Sequence, residues 1–229
     1  MAAALPLALL AVWEAASRLA WLSPRYFPAP STIAATLAQG LAGGALWADV
    51  GITLGRLGAA FALAAALAVP LGLGMGLWRP LRALLEAPVA LLYPLPKIAL
   101  LPLFLVSLGV GEPAFVLTGA VTAFFQILIS AAAGVRAVDP TLIEVGKSYG
   151  AGPLALFGKV LLPAALPAIL TGLRLGLGLA LITVIAVEFV TAKSGLGHLV
   201  FRQWQMLLTA EMFAGLAVIG AIGLTLTRG

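Results

Sequence analysis

The residues able to do chemistry are few and far apart: 13 Lys or Arg, 8 Asp or Glu, one histidine and no cysteine in 229 residues. A single histidine, His198, without any cysteine excludes a disulfide framework and a multi-Cys/His metal site. His198 reads as a solvated side chain in a loop over 193–205. No G-x-x-x-x-G-K-[ST] phosphate loop occurs, so the chain has no nucleotide cradle of that kind. Two groups of charges are left. Lys97, Arg174 and Glu188 are set in long apolar stretches, where the fixed positive charge of Lys97 or Arg174 can offer a passing anion a charge-assisted hydrogen bond. Residues 136–159 gather Arg136, Asp139, Glu144, Lys147 and Lys159 into the one substantial polar segment. These residues suit recognition rather than bond making.

The elements that must position them follow from composition. Hydrophobic residues make up 62% of the chain and charged residues 9%, against about half and about a quarter in soluble domains. So few charges cannot cover that much apolar surface in water, and a bilayer is the solvent that fits. Long uninterrupted apolar runs indicate helices, not the short alternating segments of a barrel. The length allows about six spans of roughly 20 residues. They are expected at about 3–22, 50–78, 83–109, 113–135, 160–189 and 209–227, in a single transmembrane domain 1–229 without internal repeats. In the first, Glu14 and Arg18 lie at i and i+4 and can pair. The prolines of Ser23–Thr32 end it, and Ser31 or Thr32 can cap a short helix over 31–41 that Gly43-Gly44 breaks. The third span holds Pro88, Pro94, Pro96 and Pro102 with Glu86 and Lys97, and reads as a kinked helix packed inside the protein rather than facing lipid. Gly72, Gly74 and Gly76, and the pair Gly172 and Gly176, permit close helix approach, either within one subunit or between two. The last apolar run, from Met212, is short for a span, so further chain is expected beyond it.

An unpaired Lys or Arg at mid-bilayer costs about 2.5–3.5 kcal/mol. Lys97 and Arg174 therefore line a water-filled cleft, pair with Glu86, Glu112 or Glu188, or snorkel to an interface. Arg174 has no acidic residue three or four positions away, so its own helix cannot neutralise it. Basic residues in short connections set the orientation. Arg79, Arg82, Arg136, Lys147, Lys159 and Arg228 fall on one side, Arg25, Lys193 and Arg202 on the other, with Arg56 near the boundary. The first side is expected to be cytoplasmic, with both termini. The net charge of +5 is dispersed, which argues against nucleic acid as a partner.

The polar segment has its own logic. Asp139-Pro140-Thr141 can start a short helix, and Gly150 can end it in the left-handed conformation. Pro163 then stands at the entry of the fifth span, where a missing N–H does no harm. A short rigid helix between two turns is a knob that fits a groove on a partner; the alternative is an ordinary polar loop.

Glu144-Val145-Gly146-Lys147-Ser148-Tyr149-Gly150, nine further residues and Val160-Leu161-Leu162-Pro163 resemble the EAA loop of permease subunits in bacterial binding-protein-dependent ABC importers, E-A-A-x3-G-x9-I-x-L-P. Val145 and Gly146 replace the alanines, and Val160 the isoleucine. Tyr26–Ser31 is similar to the P-x-P-S segment of the nitrate/sulfonate/taurine group, and Pro94–Phe104 to its third-span signature. Thr171–Arg174, Val187-Glu188 and Gly195-Leu196-Gly197 resemble its fifth span and the turn after it. The likeness covers about residues 25–220, and Ser107-Leu108-Gly109 departs from the Trp-Phe-Gly frequent in that group. The resemblance implies an all-α, six-helix type I ABC importer permease fold with a cytoplasmic coupling helix, in the bacterial cytoplasmic (inner) membrane. It implies ATPase coupling through Glu144, Val145, Gly146, Tyr149, Gly150 and Pro163, with Lys97, Arg174 and Glu188 as candidates for the translocation path. The implied partners are two cytoplasmic ATPase subunits that hold ATP and Mg, a second permease copy (identical or a close paralogue), a periplasmic or lipid-anchored substrate-binding protein, and membrane lipid. The chain itself is expected to hold no cofactor and to be no enzyme. A sulfonate, taurine or nitrate-class anion is the expected solute. A vitamin precursor or aromatic heterocycle is the alternative within such machinery, and an ion-coupled carrier or channel without an ATPase is the alternative outside it.

Overall fold

The computed structural model describes residues 4–228; Ala3, where the opening span was expected to begin, and the side chain of Arg228 lie outside the described residues. Every regular element described is helical. In order these are α1 (Ala4–Arg18), α2 (Pro30–Ala42), α3 (Ala45–Leu77), α4 (Arg79–Leu92), a 3-10 turn (Lys97–Leu100), α5 (Leu101–Leu108) and α6 (Glu112–Arg136). There follow α7 (Pro140–Ser148), α8 (Pro153–Leu156), a π turn (Phe157–Leu161), α9 (Leu162–Thr191), α10 (Leu196–Gln205) and α11 (Thr209–Arg228). Among the described residues four stretches are long and apolar enough to cross a membrane, and a fifth arises if α4 and the 97–108 segment form one broken span. The expected first span is not among them. α1 has 15 described residues, and beyond it Ala20 takes the left-handed conformation at φ +58.

The third expected span is corrected most. It is two helices meeting at 92°, because Pro94 and Pro96 supply no N–H to continue α4. It is also not packed inside the chain: α4 buries none of its residues, and Leu84 and Leu91 are 70% and 72% exposed. The stretch expected as a loop around His198 is instead α10. Gly195 caps it in an open conformation (φ +101), and Leu196, Leu199 and Val200 give it a buried face. The start of α2 differs too. Neither Ser31 nor Thr32 caps it; Glu14 of α1 does so, accepting the Ser31 N–H at 3.0 Å and the Ser31 hydroxyl at 2.7 Å while it pairs with Arg18 at 2.5 Å. A carboxylate at a helix N-terminus is favoured there by the unpaired N–H groups.

The chain forms two compact units, through both of which α3 and α9 run. One comprises Met1–Gly55 and Ile185–Thr225; its core joins Leu46, Leu199 and Val200 to Leu37, Leu41, Met212 and Ile219, and Trp13 meets Phe213 edge-on at 5.5 Å. The other comprises Arg56–Val184 with Leu226–Gly229. Its centre is α6, whose Ala131 and Val135 pack with Leu161, Ala165 and Ile169, and with Val69 and Leu73 of α3. Glycine sets these distances. A Cβ at Gly72 would lie 2.6 Å from the Leu128 carbonyl oxygen, one at Gly76 2.5 Å from Val135 Cβ, and one at Gly176 2.7 Å from Ile127 Cγ1. These glycines pack within one subunit. Gly72→Ala forces a methyl against backbone and is expected to cost about 1–3 kcal/mol, seen as a lowered Tm of the purified protein. Gly74→Ala meets only the end of the Leu81 side chain and should stay within about 0.5 kcal/mol of wild type.

Candidate functional site

The polar segment folds into α7 with both ends closed by local chemistry. Asp139 Oδ1 accepts the Thr141 N–H at 2.8 Å, and Pro140 follows as the first helical residue. Gly150 takes φ +76. Its N–H bonds to the Lys147 carbonyl at 2.9 Å, and the Ala151 N–H to the Gly146 carbonyl at 3.1 Å, the paired closure of a Schellman motif. One side of α7 faces inward: Ile143 joins the α6–α9 core, and a Cβ at Gly146 would lie 2.8 Å from Leu156 Cδ1. The departure from alanine at Gly146 thus fits a helix set close against the segment that follows it. The other side is open. Glu144, Val145 and Tyr149 are exposed, Tyr149 at 88%, and Leu142 and Leu154 are exposed beside them. Leu142, Val145 and Tyr149 recur at i, i+3 and i+7, an apolar stripe in a polar segment; the sequence reading did not single out Leu142, although that spacing was there to be read.

Pro163 does not begin its helix. The helix already starts at Pro153, and Pro163 stands directly after the π turn, in which the Leu162 N–H reaches back five residues to the Phe157 carbonyl. A proline ring collides with the carbonyl four residues before it, and the wider turn makes room at Lys159.

The three charges in apolar stretches have separate surroundings. Lys97 Nζ donates to the carbonyls of Leu92 (3.0 Å), Leu95 (2.9 Å) and Tyr93, and lies 5.4 Å from the Tyr93 ring and 4.9 Å from the Phe125 ring. Pro96 leaves the Leu92 carbonyl without its helical donor, so the lysine closes the break that the prolines open. None of the glutamates weighed as its partners is used. Glu112 instead binds Arg56 through two contacts, of 2.7 and 2.5 Å, and the Arg56 guanidinium also covers Phe115 at 5.2 Å. Glu188 is fully buried. It accepts the Thr53 hydroxyl at 2.9 Å and the Gly197 N–H at 2.9 Å, while Thr53 Oγ1 accepts the Leu196 N–H at 2.9 Å and Asp49 the Gly195 N–H at 2.8 Å. That ties the end of α9, the turn 195–197 and the start of α3 into one polar junction. Arg174 is exposed on α9.

Residues 68–227 match the family described as binding-protein-dependent transport system inner membrane component. The chain belongs to this family. It is 35% identical to the taurine transport system permease protein TauC of Escherichia coli (strain K12) over 96% of this chain and 82% of that protein. It is 36% identical to the putative aliphatic sulfonates transport permease protein SsuC of the same organism, over 96% and 83%, and 33% identical to the bicarbonate transport system permease protein CmpB of Synechocystis (strain PCC 6803), over 83% and 68%. The methionine ABC transporter MetNI in an inward-facing conformation shares the fold, with a TM-score of 0.69 at 23% identity over 79% of this chain and 90% of that one.

The protein is therefore an ABC importer permease, and α7 is the feature that its two caps define best. The Thr141 N–H, and after it the Thr141 hydroxyl, hold the Asp139 carboxyl below its ordinary value. A lowered carboxyl pKa adds stability above the ordinary value and loses it as pH falls through the depressed one. Protection of the α7 amides against hydrogen exchange should thus be flat above about pH 5 and weaken only in stronger acid. Asp139→Ala should loosen the helix while Asp139→Asn largely keeps it, and Gly150→Val should cost about 1–2 kcal/mol at its positive φ, all read by the same exchange measurement.

Proposed function

We propose that this permease couples ATP hydrolysis on two separate cytoplasmic ATPase subunits to import of a small anion, through a coupling face formed by α7. The observation that carries this is the open side of α7: a helix capped at both ends, anchored by Ile143, that presents Glu144 among Leu142, Val145 and Tyr149. Exposed apolar side chains around one carboxylate, on a rigid support, suit a protein groove better than water. ATP and Mg belong to the partner, and the permease contributes no hydrolytic chemistry. A second permease copy completes the path, and an external binding protein delivers the solute. The membrane is the bacterial inner membrane, with residues 136–159 and both termini in the cytoplasm and 191–208 outside.

An anion is favoured by the relatives, named for taurine, aliphatic sulfonates and bicarbonate, all of which present an anionic oxygen group. Of the candidate path residues, Arg174 keeps that role best, since it is exposed on α9, whereas Lys97 serves the α4 break and Glu188 the 195–197 turn.

Glu144→Arg and Leu142→Asp should abolish stimulation of the ATPase and ATP-driven uptake in proteoliposomes, with normal membrane insertion. Full uptake by both variants would remove the coupling assignment. A Lys147→Cys variant should resist a membrane-impermeant thiol reagent in intact cells and react once they are opened; labelling of intact cells would reverse the orientation. Arg174→Gln should slow uptake without changing the affinity of the binding protein for its solute, and unchanged uptake would return Arg174 to a structural role.

A further inference from the structure

Within the unit Arg56–Val184, α6 carries Thr118, Thr122, Gln126 and Ser130 at four-residue intervals, which stacks them along one side of the helix. Thr118 and Thr122 return their hydroxyl hydrogens to backbone carbonyls at 2.7 and 3.0 Å. Gln126 and Ser130 are held only by other side chains, Gln126 Nε2 to Ser130 Oγ at 3.3 Å and Tyr93 O–H to Gln126 Oε1 at 3.3 Å. Bonds that long are weak, and both groups have donors and acceptors to spare. Tyr93 also walls a cavity of about 200 Å³ between α4 and α6. Met75, Val89 and Leu128 make its body apolar, and Arg82, Glu86 and Arg136 border it. Arg82 is held in place: its Nε donates to the Met75 carbonyl at 3.0 Å and its Nη2 to the Gly76 carbonyl at 2.8 Å. Those carbonyls close α3 and have no helical donor, so the fold fixes the guanidinium and leaves its remaining hydrogens for another acceptor. Arg136 is the last residue of α6 and, among the described residues, has no ion pair.

We propose that this cavity is a solute site for a small oxyanion with a short apolar body, held by Arg136 and Arg82, with Tyr93, whose hydroxyl Gln126 orients, in its wall. It rests on the import of an anion argued above and assigns that anion to residues outside the path considered so far. Glu86 gives the site its release step. It lies one turn from Arg82 on α4 and borders the same cavity, so its negative charge opposes the anion and keeps binding weak enough for the solute to leave. The phosphate of an anionic lipid offers the same chemistry to the two arginines, so the test must separate the two sources.

The complex of permease and ATPase, in nanodiscs of phosphatidylcholine, is titrated with labelled ethanesulfonate. Arg136→Gln should weaken binding by about tenfold or more, the loss expected for a charged hydrogen bond. Gln126→Leu should weaken it less, and Glu86→Gln should tighten it and slow release. In proteoliposomes with the binding protein, Arg136→Gln should lower the maximal uptake rate and keep the stimulation of ATPase activity, which a loss of coupling would not keep. Unchanged binding in both Arg136→Gln and Glu86→Gln overturns the site, as does loss of ethanesulfonate binding when phosphatidylglycerol is added, which makes the cavity a lipid site. If wild-type protein imports sulfonates and the variants match it, the cavity assignment alone fails. If wild type imports no sulfonate, bicarbonate or other small anion, the anion reading fails and the site with it.

Discussion

The closeness of α3 and α9 to α6 is the condition on which the larger unit depends. In lipid there is little hydrophobic force to drive helix against helix, so contact must come from backbones near enough for dispersion to act over long stretches. Gly72, Gly76 and Gly176 permit that approach, and Ala131 and Ala165 fill what is left with methyl groups. Because these positions have no side chain to adjust, the helices have one relative depth along α6 and not several. The position of Ile143 on α7 follows from this, since it packs against the core that α6 and α9 build.

The same apolar surroundings dictate how charge is handled, and the protein uses three solutions. Arg56 meets a carboxylate, Lys97 meets the carbonyls of a broken helix, and Glu188 meets a hydroxyl and the Gly197 N–H of a turn. Backbone groups left over at helix ends are dipoles already paid for by the break itself, so a lysine or glutamate placed beside them solves two problems together.

Much of this was legible from the residues. Asp139-Pro140 and Gly150 marked the ends of α7 because capping is local chemistry, settled by a few neighbours. The apolar runs marked α3, α6, α9 and α11 because hydrophobicity over twenty residues outweighs any local signal. What the sequence hid depended on partners distant in the chain. Ser31 looked like a cap until Glu14 supplied a stronger one, and Lys97 looked like a charge in search of an acid when two prolines nearby had already freed carbonyls for it. The stretch after Lys193 looked like a loop because polar residues and two glycines interrupt its apolar ones, while the spacing of Leu196, Leu199 and Val200 made it a helix. The breadth of the π turn was hidden as well, though Pro163 announced that something had to give way.

That turn has a mechanical side. A helix resists bending through its evenly spaced hydrogen bonds, and between Phe157 and Pro163 the spacing changes and one donor is absent. The rod that begins at Pro153 is therefore most compliant within three turns of its start, close to where α7 leans on it through Gly146 and Leu156. A load applied to the open face of α7 therefore meets that joint before it meets the long shaft of α9.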